Sequence, residues 1–325
     1  EEAVASAPAK VILFGEHFVV YGEPAVVLAI DKRAFASAEL REDESVYVNS
    51  ADLGASGFFT GKRFRVECGG REARTKLGPV KSAVEQVLAL SKEKVGVSVK
   101  VHSTIPVAVG LGSSAAVATS TVVAVSRLLD LDLSKEEVFR LTYEAERCVH
   151  GTPSGIDPAI STYGGALLFQ RGKGFKSLDV EADMPLVIGN TGMERSTGEL
   201  VASVRRRREQ YPSIMDWIIR AGGKTALKAV EALKKGDLPA VGELMNINHA
   251  LLCAVGVSHE SLEKLVHAAR DAGAYGAKLT GGGGGGCMIA LAPTSKLNRV
   301  VEAVELAGGT AFVAKKTTEG VRIER

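Results

Sequence analysis

Four short stretches carry residue types that could do chemistry together. The first is "VAVGLGSSAAVA" (107–118), where Gly110, Leu111 and Gly112 lead into Ser113, Ser114 and Ala115. A glycine-rich loop entering a helix offers unpaired N–H groups and the positive end of a helix dipole, which suits phosphate. The serine hydroxyls add oxygen ligands for phosphate or Mg²⁺. The same residues also suit a tight turn ahead of a buried helix packed through small side chains. A phosphate loop of the type G-x-x-x-x-G-K-[ST] has a lysine after its last glycine. Here Ser113 takes that place, so any charge balancing a phosphate must arrive from elsewhere.

The second stretch is "EAERCVHGTPSGIDPAIS" (144–161). Glu146 sits in a helix whose apolar side is Val138, Leu141, Ala145 and Cys148. Asp157 is expected in a turn, held extended by Pro158. Two carboxylates flanking a Gly/Pro turn can converge on one metal or one hydroxyl, and equally suit a surface helix and an ordinary turn. The third is "KLTGGGGGGCMIAL" (278–291). Six glycines make either a flexible linker or a loop that passes close to a ligand. Its flanks are not Ser-rich, which favours the site loop. The fourth is Lys10 followed by Glu16 and His17, residues that alone read as a solvated strand end and turn. The run Arg205–Arg208 reads as a solvated helix face.

These residues need a scaffold. At 325 residues two domains are expected, and 46% hydrophobic with 24% charged residues is enough apolar content for cores without staples. A net charge of +2 gives no basic field for nucleic acid. Four scattered cysteines form neither a disulfide framework nor a C-x-x-C zinc site, and point to a reducing cytoplasm. No leader peptide and no membrane-length apolar run is read.

Strands are expected at 9–14, 25–30, 45–50, 62–68, 95–103, 164–170, 185–190, 287–293 and 310–314. Helical patterns fall at 79–91, 114–130, 134–150, 196–209, 213–235, 238–252, 259–272 and 295–306. Ser134 and Glu137 form a capping box for the 134–150 helix, Gly151 can close it, and Pro153 and Pro158 break the chain beyond it. "RGKGFK" (171–176) reads as a boundary region. The class is α+β or α/β, with domains expected at 1–178 and 179–325.

In this order the motifs resemble the GHMP family of small-molecule kinases. "PVAVGLGSSAA" from Pro106 to Ala116 is similar to that family's P-x-x-x-G-L-G-S-S-A motif. "KVILFGEHFVVYG", "EAERCVHGTPSGIDP" and "KLTGGGGGGC" resemble most closely its mevalonate-phosphorylating members. The resemblance runs from Lys10 to Cys287. It departs at Phe14, where His is frequent, and at Gly282, where Ala is common.

The resemblance implies a ribosomal-protein-S5-domain-2-like N-terminal domain and a ferredoxin-like C-terminal domain. It implies Mg²⁺-dependent transfer of the ATP γ-phosphoryl group to the C5 hydroxyl of mevalonate, in a cytoplasmic homodimer. Pro106 and Gly110 to Ala115 would wrap the nucleotide phosphates. Ser114 and Glu146 would hold Mg²⁺. Asp157 would orient or deprotonate the hydroxyl beside Lys10. Glu16, His17, Ser196, Thr197, Gly281 and Gly282 would meet mevalonate, with Lys278 supporting the glycine loop. Within the family the alternatives are a phosphomevalonate kinase and a mevalonate 3-kinase; outside catalysis, a ligand sensor.

Overall fold

Small and apolar residues fill the two longest strands, β1 (Glu2–Phe14) and β2 (Ala25–Arg41), which pair antiparallel. A computed structural model describes residues 2–91, 94–106, 110–150, 154–193 and 196–325, without the side chains of 149 and 150. Gly151 and Pro153, expected to end a helix and break the chain, lie outside the described residues. Then follow β3 (Val46–Ser50), β4 (Ala55–Thr60), β5 (Arg63–Cys68), α1 (Ala73–Leu88) and β6 (Gly96–Ser103). After these come α2 (Ser113–Leu128), α3 (Lys135–His150), α4 (Ile156–Tyr163), β7 (Ala166–Gln170) and β8 (Gly174–Leu178).

The second half holds β9 (Pro185–Asn190), α5 (Thr197–Gln210), α6 (Pro212–Lys234), α7 (Leu238–Ala254) and α8 (Glu260–Asp271). It ends with β10 (Gly276–Leu279), β11 (Cys287–Leu291), α9 (Leu297–Leu306), β12 (Thr310–Lys315) and β13 (Arg322–Ile323).

Among the described residues, the first sheet runs β13-β1-β2-β6-β3-β4-β5, with β7 also on β2 and β8 on β7. Only its β3–β6 pair is parallel. The second runs β10-β11-β9-β12, all antiparallel. With helices between β9 and β10 and between β11 and β12, it follows the β-α-β-β-α-β ferredoxin-like plan. One apolar cluster joins the two sheets: Val11 and Leu28 of the first share it with Leu186 and Ile289 of the second. We propose the division into 1–178 and 179–325, with β13 returning to the first unit.

Helix α2 is buried nearly all round, as its composition requires. The Ser134–Glu137 capping box forms: Ser134 N–H donates to Glu137 Oε2 at 2.9 Å and Glu137 N–H to Ser134 Oγ at 3.3 Å. Four expectations need correction. Asp157 is not in an extended turn but in the first turn of α4, where Pro158 costs nothing because its N–H would be unpaired anyway. "RGKGFK" is the β7–β8 hairpin. Helix α1 begins before Pro79, which lies inside it. The arginine run is not simply solvated: Arg207 donates to Val255 O at the end of α7, and Arg208 pairs with Asp216 at 2.6 Å.

Candidate active site

The glycine loop, the second half of β1 and the α4 terminus meet at a cleft of about 570 Å³. Its lining includes Lys10, Glu16, His17, Gly110, Asp157, Thr197 and Gly281–Gly283. Lys10 is 6% exposed, and its Nζ lies 3.1 Å from Asp157 Oδ1. Lys10 N–H donates to Leu111 O at 2.9 Å, so β1 is stitched to the 110–114 loop. The lysine stem then crosses Gly112, where a Cβ would lie 2.8 Å from Lys10 Cγ and φ is +74°. Only glycine suits that place. β1 thus carries a lysine across the loop that has none after its own last glycine.

Across the α2 N-terminus, Ser114 Oγ donates to Glu146 Oε1 at 2.7 Å, and Glu146 is 6% exposed. Two hard oxygen donors side by side at a helix N-terminus fit Mg²⁺ in company with phosphate oxygens. Ser113 and Ser114 also border an apolar cavity lined by Leu53, Pro79 and Val80. Ala115 is buried in the first turn of α2. Pro106 precedes 107–109, which lie outside the described residues.

His17 has φ +61° and its Nε2 lies 2.7 Å from Gly282 O. A carbonyl only accepts, so Nε2 carries the proton and Nδ1 is left as an acceptor. Burial lowers the His17 pKa, keeping the ring neutral at neutral pH. At Gly282 a Cβ would sit 2.6 Å from Thr197 Oγ1, so the departure from the usual Ala leaves that space to Thr197. Ser196 is not brought into the cleft lining; its Oγ caps α5, accepting from Glu199 N–H at 3.4 Å. Cys287 also lines the cleft, but burial pushes its thiol up to about 12 and leaves it no nucleophile.

Glu16 borders the cleft with its carboxylate already engaged. Lys278 Nζ contacts Oε1, and Asn248 Nδ2 donates to Oε2 at 3.2 Å. Sequence reasoning gives Asn248 no role; nothing marks it inside the apolar pattern of α7. Behind it, His249 is 2% exposed. Leu279 N–H donates to its Nδ1 at 3.1 Å, so Nε2–H donates to Glu263 at 2.9 Å. His249, Cys253 and Glu263 are close enough to suggest a metal centre. Both imidazole nitrogens are engaged, however, and burial pushes the Cys253 thiol up to about 11. The cluster is a hydrogen-bond network.

Burial lowers His249 to about 4, against the pull of Glu263. The unfolded chain, at about 6.5, takes the proton first. Stability therefore falls as pH drops from about 6.5 to about 4, by about 3 kcal/mol from this residue. Urea unfolding across that window is expected to show a shallower pH slope in His249→Gln than in the wild type.

Comparisons with known proteins give the family. Residues 79–165 match the GHMP kinases N terminal domain and residues 229–309 the GHMP kinases C terminal domain. The chain belongs to the GHMP kinase family, a class of small-molecule kinases. Within it, the chain is 47% identical to the mevalonate kinase of Pyrococcus abyssi, over 99% of this chain and 97% of that protein. It superposes on the L. major mevalonate kinase solved with R-mevalonate, with TM-score 0.84, 30% identity, and 97% of this chain and 96% of that one covered. The Methanococcus jannaschii mevalonate kinase gives TM-score 0.82 at 27% identity, covering 98% of this chain and 99% of that one.

Proposed function

We propose that the protein is an ATP-dependent mevalonate kinase, transferring the γ-phosphoryl group to the C5 hydroxyl of (R)-mevalonate and releasing ADP and 5-phosphomevalonate. The observation that carries the reading is the Lys10–Asp157 pair at 3.1 Å, set in the cleft between the His17 turn and the glycine loop. Near full-length likeness to mevalonate kinases supports the substrate. Phosphoryl transfer asks a protein mainly for positioning and charge stabilisation. Gly110, Gly112 and the α2 N-terminus face the phosphates with N–H groups. Ser114 and Glu146 would hold Mg²⁺, which when bound neutralises phosphate charge.

Asp157 accepts the hydroxyl proton as the oxygen attacks, and Lys10 stabilises the negative charge that gathers there. The Nδ1 lone pair of His17 accepts a hydrogen bond from a substrate hydroxyl. Thr197 and the 281–283 backbone close the other side. Among the described residues no helix is long and apolar enough to cross a membrane. The free cysteines support a cytoplasmic setting.

ADP release coupled to an indicator reaction, with mevalonate, phosphomevalonate, homoserine and galactose compared, tests the substrate. Phosphorus NMR of the product locates the new ester. Turnover of mevalonate with phosphate on C5 is expected. No turnover of mevalonate beside clear turnover of another alcohol overturns the reading.

A further inference from the structure

Lys278 is a lysine with no exposed surface, in the middle of a four-residue strand. A cation buried that deeply needs a partner, and the pair is costly unless its remaining hydrogen-bonding capacity is met. Here two of the three ammonium donors are placed: Nζ contacts Glu16 Oε1 and donates to Leu279 O at 2.6 Å. Glu16, 1% exposed, has its second oxygen on Asn248, itself fully buried on α7. Three elements distant in sequence are thus tied at one carboxylate: the turn after β1, strand β10 and helix α7.

What the tie holds is the site. Glu16 lies between Gly15, with φ +96°, and His17, with φ +61°. A turn in that conformation persists only where its surroundings over-determine it. His17 in turn holds Gly282 O at 2.7 Å, and Thr280 Oγ1 donates to Ile12 O at 2.9 Å while accepting from Ile12 N–H at 3.1 Å. Lysine, turn and glycine loop are therefore tied to one another.

We propose that Lys278, Glu16 and Asn248 form a positioning unit that sets His17 and the glycine loop against Lys10 and Asp157, and that the Glu16 carboxylate serves this unit and does not bind substrate. This rests on the mevalonate reading above, which the wild-type substrate panel checks by itself.

The experiment compares steady-state kinetics with mevalonate for Lys278→Met, Glu16→Gln, the double variant and Asn248→Ala, each checked by its unfolding midpoint. Lys278→Met leaves a buried carboxylate unpaired, and its KM for mevalonate is expected to rise about tenfold or more, with kcat changed less than about threefold. Adding Glu16→Gln removes the stranded charge, so the double variant is expected to regain most of that loss. Asn248 is outside the cleft lining and its removal strands no charge, so Asn248→Ala is expected to fold and still raise KM by about threefold. If the Glu16 carboxylate binds substrate directly, the two single losses multiply in the double variant and Asn248→Ala leaves KM unchanged. Either result overturns the proposal.

Discussion

Asp157→Asn is expected to lower kcat by about a thousandfold, equal to about 4 kcal/mol in the barrier, with KM for both substrates within about threefold of the wild type. The substitution keeps shape and still lets Lys10 donate across the 3.1 Å contact, so the pair's geometry survives. An amide cannot take the hydroxyl proton. Asp157 suits that task because its side chain is 37% exposed beside a lysine side chain only 8% exposed. One partner is open to the incoming hydroxyl while the other is fixed. A parallel fall in kcat and kcat/KM marks an interaction made only in the transition state. An Asp157→Asn enzyme within about tenfold of wild-type turnover removes Asp157 as the base.

Much of this site is legible in the sequence, for a physical reason. A loop suited to phosphate needs small residues in close succession, so Gly110, Gly112, Ser113 and Ser114 announce themselves locally as candidates. The run of six glycines, which joins β10 to β11 in the folded chain, does the same. The partnerships are less visible. Nothing local says that Lys10 reaches Asp157, or that Ser114 reaches Glu146; only the order of motifs along the chain carries that expectation, and each pair lies in contact in the folded chain.

Where the fold departs from the sequence pattern, the causes are physical too. Pro158 reads as a breaker because proline is one inside a helix, yet in the first turn it is harmless, so α4 does not show in the pattern. Strand β10, "GAKL", looks like surface because lysine is rarely buried; only a distant glutamate makes its burial tolerable. The same pairing engages the carboxylate of Glu16, the residue that the motif resemblance offers as a substrate ligand. The strand β13 returns to β1 from the far end of the chain, where a two-residue pairing leaves no periodicity to read.

Lys10→Met is the second large effect, expected to lower kcat by about a hundredfold or more. Methionine keeps an unbranched stem over Gly112, so the loop's packing stays while the charge is lost. Arginine keeps the charge, but its planar head does not match a site built around a narrow stem and a point charge. Lys10→Arg is therefore expected to recover less than about a tenth of the lost activity.

Gly112→Ala approaches the same machinery from the other side. Its methyl would lie 2.8 Å from Lys10 Cγ and its φ of +74° disfavours any side chain, so the lysine arm must move. If the loop and the lysine work as one device, Gly112→Ala costs little more in a Lys10→Met background, because the arm it displaces no longer carries charge. Additive losses would mean that the loop binds phosphate independently of Lys10. Near-complete coupling would mean that β1 supplies to this loop what a lysine following the last glycine supplies in other phosphate loops.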